Sequence, residues 1–178
     1  MPKPHEAQGE LDSVTQDAFK CAMRRFASSV TIITSRCGAV LNGMTATAVS
    51  SVSAQPPSIL IVVNRNNRSH ALIERSGIYA VNILCETQEA LALHFASSPE
   101  DPFTFVPHSI GVTECPIIAN CVSYMECVVE SQVSFGTHSI FIGRVVASRE
   151  NELMPLLYHG GNFARLKVSG ELIDKEIR

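Results

Sequence analysis

The chain has 178 residues and a formal net charge of −3 at pH 7, and 46% of its residues are apolar. This length and composition suit one domain with a sizeable core. No block of like charges indicates a nucleic-acid surface, and no apolar run approaches the ~18–20 residues that a membrane-spanning helix needs. We therefore expect no nucleic-acid partner and no membrane. Because residues 1–13 lack the apolar core of a signal peptide, we also expect a cytoplasmic location.

The first predicted element is a helix over residues 12–27. Three of its apolar residues recur at positions i, i+4 and i+7 and so share one helical face. They are Phe19, Met23 and Phe26. Asp12 or Ser13 is the expected N-cap, because the side-chain oxygens of both residues accept hydrogen bonds from free N–H groups.

The remaining elements are mostly strands, predicted from β-branched and alternating apolar residues. Cys37-Gly38 is the expected tip of the first hairpin. The predicted strands cover residues 30–34, about 39 into the segment 42–53, 58–63, 78–84, 120–136 and 138–150. Two short helices are also predicted, one that ends at Gly77 as its C-cap and one over residues 87–96. Residues 97–111 are predicted as a loop, because three prolines and two acidic residues lie close together there.

Many antiparallel strands with a few outer helices indicate a mainly β domain. We expect its sheet to close into a barrel, since closure protects strand edges. The chain shows neither an internal repeat nor a linker, so we predict a single domain. We place it at residues 13–168, between an N-terminal tail at 1–12, which we expect to be disordered, and a C-terminal tail at 169–178.

Six cysteines are spread along the chain without a CxxC pair or zinc-ligand spacing. Their neighbours are mostly aliphatic, which indicates buried free thiols that a cytosolic protein keeps reduced. We therefore predict no metal site. The cysteines are Cys21, Cys37, Cys85, Cys115, Cys121 and Cys127.

Residues 42–53, NGMTATAVSSVS, are rich in small and hydroxylated side chains between strongly β-forming runs. Small residues let the main chain approach a flat ligand closely, and hydroxyl and N–H groups can bind a charged one. One interpretation is therefore a surface for a planar heteroaromatic ring with a phosphate tail. The other is a thin barrel strand that permits tight packing. The hydroxylated residues are Thr45, Thr47, Ser50, Ser51 and Ser53.

Three other short motifs carry candidate binding groups. Arg65, Arg68 and Ser69 precede a predicted helix, where free N–H groups favour phosphate, although a solvated helix start has the same pattern. His138 lies in a predicted turn and is either a ligand contact or an exposed side chain. Residues 158–161, YHGG, combine two rings with two glycines that permit close main-chain approach.

Several common catalytic motifs are absent from the sequence. It contains no GxSxG elbow, no GxGxxG after a predicted strand and no paired carboxylates within the apolar segments. A serine hydrolase of the elbow type, a Rossmann dinucleotide site and a glycosidase are therefore not indicated.

Six segments in a fixed order carry a family resemblance. They are FKCAMRRFASSVTIIT, GMTATAVSSVS, YAVNIL, HFA, GTHSIFIGRVV and YHGGNFARL. Together they resemble the flavin reductase family, the small NAD(P)H:flavin oxidoreductases of two-component monooxygenases. The resemblance runs from Phe19 to Leu166 and so covers nearly the whole predicted domain. Each motif alone is weak, but their joint order and spacing are specific.

The resemblance implies a split β-barrel that forms a homodimer with FMN or FAD at the subunit interface. It also implies NADH, or alternatively NADPH, as hydride donor. The residues expected along the flavin ring and ribityl chain are Thr45, Ala46, Thr47, Ala48, Ser51, Val52 and Ser53. Those expected near the phosphate are Asn64, Arg68 and Ser69, and those expected around the nicotinamide dinucleotide are His138, Tyr158, His159 and Gly160. Thr137 stands where many family members carry Asp.

The resemblance further implies direct hydride transfer, with His138 positioning the dinucleotide rather than acting as a general acid. The reduced flavin would serve a partner monooxygenase, such as an aromatic hydroxylase of the 4-hydroxyphenylacetate type. The alternative within the family is a corrin reductase of cobalamin biosynthesis, cob(II)yrinic acid a,c-diamide reductase, with residues 97–111 at the acceptor's entrance. A flavin- or haem-binding module without turnover is the alternative from another class.

Overall fold

The computed structural model describes residues 12–167. This part of the chain contains three helices, α1 Gln16–Met23, α2 Arg68–Ser76 and α3 Glu89–Ala96. Its twelve strands are β1 Ser28–Ser29, β2 Thr31–Cys37, β3 Val40–Ala46, β4 Val49–Ala54, β5 Pro57–Asn64, β6 Ile78–Ile83, β7 His108–Ile110, β8 Pro116–Ile118, β9 Ser123–Phe135, β10 His138–Glu150, β11 Leu156–His159 and β12 Asn162–Arg165. Within these residues, no helix combines the length and apolar character needed to cross a membrane.

Seven strands form one antiparallel sheet in the order β3-β2-β6-β9-β10-β5-β4. Its two edge strands, β3 and β4, are consecutive in the chain and are joined only by Thr47 and Ala48. The three Cα steps from Ala46 to Val49 span at most about 11 Å, because neighbouring Cα atoms lie about 3.8 Å apart. The sheet must therefore curl until its edges nearly meet, and a slit remains between them. The mainly β split barrel is confirmed, whereas full closure is not observed.

Two apolar clusters cover both faces of β2. The neighbouring residues Ile32 and Ile33 point to opposite faces of the strand, and both are 0% exposed. The cluster inside the barrel is Ile33, Ile59, Ile61, Val63, Ile73, Tyr79, Val81, Cys127 and Phe141. The outer cluster is Val30, Ile32, Leu84, Ala92, Phe95, Val106, Ile118 and Leu156. Since α3 supplies Ala92 and Phe95, the outer cluster holds this helix against the sheet.

A three-stranded sheet, β1-β11-β12, packs beside the start of β2. The Val30 N–H donates to the carbonyl oxygen of Leu156 at 2.9 Å, and the Leu156 N–H donates to that of Leu84 at 2.9 Å. Val30 immediately precedes Thr31, which pairs with Ala46 at the end of β3. The β11–β12 hairpin therefore lies next to the slit.

Several predicted boundaries are confirmed. Gly77 ends α2 in the left-handed region with φ of +69°, and its N–H donates to the carbonyl oxygen of Ile73 at 2.8 Å. The first hairpin turns at Gly38, directly after Cys37. The two long C-terminal strands, β9 and β10, are joined by Gly136 and one further residue.

The predicted N-terminal helix is wrong in its length and its cap. α1 begins after Thr15, whose Oγ1 accepts a hydrogen bond from the Ala18 N–H at 3.2 Å, so neither Asp12 nor Ser13 is the cap. The helix ends at Met23. The spacing of the apolar residues indicated a helix correctly, but that spacing does not determine where its hydrogen bonding begins and ends.

Three other predictions differ in detail from the structure. The predicted strand through residues 42–53 is divided into β3 and β4, because the chain leaves one sheet edge for the other at Thr47 and Ala48. The predicted helix over 87–96 begins only at Glu89, and the predicted loop contains β7. The predicted tails lie outside the described residues, apart from Asp12.

The six cysteines are free, as predicted, but they differ in exposure. Cys85, Cys115, Cys121 and Cys127 are buried, whereas Cys37 is half-buried and Cys21 is exposed on α1. Desolvation raises the pKa of Cys115 to about 11 and that of Cys127 to about 12. These two thiols therefore stay protonated near neutral pH and are poor nucleophiles.

Candidate functional site

A cleft of about 570 Å³ opens at the slit, where the end of β3, the β11–β12 hairpin and α3 meet. The β3 side is lined by Thr45, Ala46 and Thr47. The hairpin side is lined by Tyr158, Gly161, Asn162 and Phe163, and the helix side by Glu89, Ala92, Leu93 and Ala96. We call this the ring cleft. It brings three of the predicted flavin residues together with the predicted Tyr158.

Part of the small-residue segment serves packing. A Cβ added to Gly43 would lie 2.5 Å from Cε1 of Phe95, so α3 approaches β3 this closely only because residue 43 has no side chain. The Thr45 hydroxyl donates a hydrogen bond to the carbonyl oxygen of Ala92 at 2.6 Å and ties the same helix to β3. The packing interpretation therefore holds for Gly43 and Thr45, whereas Ala46 and Thr47 line the ring cleft and their contact with a ligand stays a prediction.

The β11–β12 hairpin supplies an aromatic wall. Tyr158 and Phe163 are cross-strand partners whose ring centroids lie 5.7 Å apart at an interplanar angle of 70°. Gly160 turns the hairpin with φ of +62°, and its N–H donates to the carbonyl oxygen of Arg24 at 3.0 Å, so the residue after α1 holds the turn. His159 is exposed beside Tyr158 and does not belong to the cleft lining.

The second half of the small-residue segment lies on β4, at the other side of the slit. Ser51, Val52 and Ser53 are exposed there, and the ladder to β5 shifts its register between Ser51 and Ser53. The Ser53 Oγ accepts a hydrogen bond from the Gln55 N–H at 3.0 Å. β4 is an edge strand, so one side of it offers unpaired main-chain groups. Contact of these residues with flavin stays a prediction, as does that of Ala48 in the link.

The residues predicted near the phosphate make their polar contacts within the chain. Ser69 is 0% exposed, and its Oγ accepts a hydrogen bond from Nδ2 of Asn42 at 2.7 Å. The exposed Arg68 donates to the carbonyl oxygen of Glu100 at 2.8 Å. The Asn64 Oδ1 accepts from the Asn66 N–H at 2.9 Å. None of the three lines the ring cleft, and their phosphate role stays a prediction.

His138 is exposed at the first position of β10, where it pairs with Asn64 of β5 and Phe135 of β9. Its Nδ1 lies 2.9 Å from Oγ1 of Thr137, so the threonine that stands in place of the common Asp still contacts the imidazole. His138 does not line the ring cleft of its own chain. The structure thus places the two ends of the predicted site in separate regions.

A family model described as "Flavin reductase like domain" matches residues 23–167. This chain belongs to that family. The match spans β1 to β12 and therefore includes the slit, the ring cleft and His138.

Curated relatives of this flavin reductase-like domain carry names of the same kind. It is 34% identical to an NADH-dependent flavin reductase of Rhodococcus sp, over 93% of this chain and 95% of the relative. It is 34% identical to the reductase component of a 4-nitrophenol 4-monooxygenase/4-nitrocatechol 2-monooxygenase of Rhodococcus opacus, over 88% and 84%. A "Probable flavin reductase" of Rhizobium meliloti (strain 1021) is 31% identical over 90% of this chain, which spans only 52% of that longer relative.

A solved structure shares the whole architecture of this flavin reductase-like domain. It is the Streptomyces globisporus NADH:FAD oxidoreductase SgcE6 in complex with NAD and FAD fragments. The TM-score is 0.84 at 30% identity, and the alignment covers 92% of this chain and 100% of that chain. The similarity therefore extends over nearly all of the described residues.

Residues of α1 line a cleft of this flavin reductase-like domain that the sequence did not predict. A second cleft of about 390 Å³ lies beside the ring cleft. Its lining residues are Phe19, Lys20, Met23, Arg24, Phe26, Ser28, Thr47, Ala48, Tyr158 and Gly160. We call it the helix cleft. The helical spacing of Phe19, Met23 and Phe26 predicted that they share one face. It could not predict that this face is exposed and lines a cleft, because buried and exposed apolar faces have the same spacing.

The lining of the ring cleft indicates which chemistry the flavin reductase-like domain can perform there. Ala92, Leu93 and Phe163 make it largely apolar, and it offers no thiol, imidazole or basic side chain. Its volume lies within the range of about 300–1,000 Å³ that is usual for small-molecule sites. Within residues 12–167, no group of three or more His, Cys, Asp or Glu side chains is placed to hold a metal ion. The cleft therefore fits a planar aromatic group that brings its own reactivity.

Proposed function

We propose that this chain is an NADH-dependent flavin reductase that reduces FMN or FAD and supplies the reduced flavin to a partner monooxygenase. The names of its relatives support this function, because they include an NADH-dependent flavin reductase and a monooxygenase reductase component. The structural observation that carries it is the ring cleft, where the small residues Ala46 and Thr47 line the same space as the rings of Tyr158 and Phe163. A flat tricyclic ring in this cleft would contact both sets of residues.

When bound, the flavin supplies the redox chemistry by accepting a hydride from the nicotinamide. The residues of the chain bind, orient and shield the reactants. Ala46 and Thr47 have small side chains and would let the main chain contact the ring. Because the rings of Tyr158 and Phe163 are inclined at 70°, one of them would contact the flavin with its face and the other with its edge. Ala92 and Leu93 of α3 add apolar surface that excludes water from this side of the cleft.

We assign His138 the role of a positioning residue for the dinucleotide. Thr137 contacts Nδ1, which orients the imidazole and leaves Nε2 for a ligand. Stopped-flow reduction of bound flavin by NADH tests this role. His138→Ala should weaken NADH binding and slow hydride transfer, whereas Thr137→Val should show a smaller effect of the same kind. Unchanged affinity and rate in His138→Ala would remove this residue from the site.

A homodimer is part of the proposal. Phe135 is 81% and Val133 51% exposed at the end of the long β9–β10 hairpin, and burying them against a second copy removes apolar surface from water. Phe135 pairs directly with His138, so a dimer surface that contains Phe135 also contains His138. Light scattering after size-exclusion chromatography should show a dimer for the unaltered chain and a monomer for Phe135→Ser. A dimer of unchanged stability in Phe135→Ser would contradict this surface.

The donor and the location complete the proposal. We favour NADH over NADPH, because two of the relatives, an NADH-dependent flavin reductase and an NADH:FAD oxidoreductase, are named for NADH. We place the protein in the cytoplasm, where its free thiols remain reduced. The names of the reported relatives favour flavin reduction over the corrin alternative.

The deciding experiment follows NADH oxidation at its absorbance maximum with riboflavin, FMN or FAD as acceptor. Turnover that depends on both the protein and the flavin is expected, at a higher kcat/KM for NADH than for NADPH. Flavin binding without NADH oxidation would identify a binding module instead. Turnover of a flavin that never dissociates, combined with reduction of an added corrin, would favour the corrin reductase.

A further inference from the structure

The ring cleft and the helix cleft form one groove. Both are lined by Thr47 and Tyr158, so the two spaces meet across these side chains. The helix cleft continues along the face of α1. A ligand longer than a flavin ring can therefore extend from one cleft into the other.

The two halves of this groove carry opposite charges. Glu89 is the one charged residue in the lining of the ring cleft. The helix cleft is lined by Lys20 and Arg24, both exposed. Within residues 12–167, neither of these cations takes part in an ion pair. An anionic group is therefore repelled from the ring cleft and attracted to the helix cleft.

The helix cleft also presents an aromatic surface beside its cations. Phe19 is 56% and Phe26 65% exposed, and both lie on the α1 side of the cleft with the 48% exposed Met23. Large apolar side chains that stay in water cost free energy unless a ligand or partner covers them. Aromatic rings next to basic side chains suit a nucleobase joined to a phosphate, because the base stacks while the cations neutralise charge.

We propose that the helix cleft binds the adenosine diphosphate group of a nucleotide. Lys20 and Arg24 hold the pyrophosphate, and the adenine stacks on Phe19 and Phe26. The uncharged end of the same nucleotide reaches past Thr47 into the ring cleft. Two of the proposed reactants, NADH and FAD, carry this group, and FMN lacks it. The inference rests on the proposed function only for the choice between these two sources.

The first test is direct binding of ADP to the unaltered chain and to its variants by isothermal titration calorimetry. Lys20→Gln combined with Arg24→Gln should weaken ADP binding by about tenfold or more and reduce its dependence on salt. The matched control is Arg25→Gln, because Arg25 is exposed in the same turn but does not line the cleft. It should leave ADP affinity unchanged. Equal ADP affinity in the double variant and the control would overturn the proposal.

Kinetics then identify the source of the group. If NADH supplies it, the double variant raises the KM for NADH with FMN as acceptor and leaves the KM for FMN unchanged. If FAD supplies it, the KM for FAD rises and the KM values for FMN and NADH do not. No change in any of the three would overturn the site. ADP binding needs no turnover, so an ADP-binding chain that fails to oxidise NADH would refute the proposed function and leave this inference intact.

Discussion

Polar side chains in the barrel wall opposite the slit differ in burial and pairing from those on the strands beside the slit. β9 is the central strand of the seven, and Glu126 in it is 1% exposed. Its carboxylate accepts hydrogen bonds from the N–H groups of Val112 and Thr113 and from the Thr113 hydroxyl. On β4, by contrast, Ser51 and Ser53 are exposed on a strand paired along one side only. The polar group of the wall around β9, which we call the closed wall, is thus paired within the chain, whereas the polar side chains of β4 beside the slit are exposed.

The largest effect should come from Glu126→Gln on the closed wall. The amide cannot accept all three hydrogen bonds and turns N–H groups towards the donors of residues 112–113, which should cost about 2–4 kcal/mol of the free energy of unfolding. Urea denaturation measures the loss. The control is Glu130→Gln in the same strand, because Glu130 pairs with Arg144 at 2.8 Å on the surface. It should cost less than about 1 kcal/mol, and equal losses would refute the contrast.

Gly43→Ala tests whether β3, beside the slit, shares the tight packing of the closed wall. The new methyl group would collide with the ring of Phe95, which is 1% exposed and packs within the outer cluster. The free energy of unfolding should fall by about 1–3 kcal/mol. In a chain that already carries Phe95→Leu, the same substitution should cost clearly less. If the double variant lost as much free energy of unfolding as the two single variants together, the collision with Phe95 would not be the cause.

Tyr158→Ala should separate binding from stability at the slit. Tyr158 is 39% exposed, so the midpoint of thermal unfolding should drop by only a few degrees. The KM for flavin should rise about tenfold, because stacking on an aromatic ring contributes about 1–3 kcal/mol. Tyr158→Phe keeps the ring and should keep the KM. A large loss of stability with an unchanged KM would assign Tyr158 to the structural core instead.

Alkaline pH should lower the free energy of unfolding by a smaller amount. Burial raises the pKa of Cys115 to about 11 and of Cys127 to about 12, from 9.0. Above pH 9 the unfolded chain loses these protons while the folded chain keeps them, so the free energy of unfolding falls as pH rises towards the folded-state pKa values. At pH 10 the loss is about 1 kcal/mol for each thiol.

Urea denaturation between pH 8 and 10.5 measures this dependence on pH. Cys127→Ala should reduce this dependence by roughly half, because Cys115 still contributes, whatever the effect of the substitution on the stability at pH 8. Cys21→Ser is the control, because Cys21 is exposed and should leave the slope unchanged. An unchanged slope in Cys127→Ala would show that another group causes the alkaline loss.

Local sequence signals predicted most of the elements. Gly77 marked a helix end because the left-handed conformation favours glycine, and Cys37-Gly38 marked a hairpin for a similar reason. Only the family resemblance predicted that Thr45–Thr47 and Tyr158 lie near each other, because periodicity does not tell which distant strands meet. The break at Thr47 and Ala48 was missed, because nothing in their side chains distinguishes a bend between sheet edges from a continuous strand.

The polar interior could not be predicted from the sequence. In MECVVE the acidic Glu126 follows ordinary alternation, and its burial depends on N–H groups supplied by the turn at residues 112–113. Ser69 lies at the start of α2, and nothing in the sequence indicated that the side chain of Asn42 reaches it from β3. Such pairings depend on tertiary contacts, which a single sequence does not display.

Thr47 and Ala48 act as a spacer of fixed length at the mouth of the barrel. Main-chain geometry sets their span, so replacing either side chain alters the lining and leaves the aperture unchanged. Inserting one residue would widen the aperture by up to about 3.8 Å without disturbing the pairing of β3 with β2 or of β4 with β5. Changes in chain length at this bend would therefore allow related barrels to bind ligands of different thickness while their strand pairing is retained.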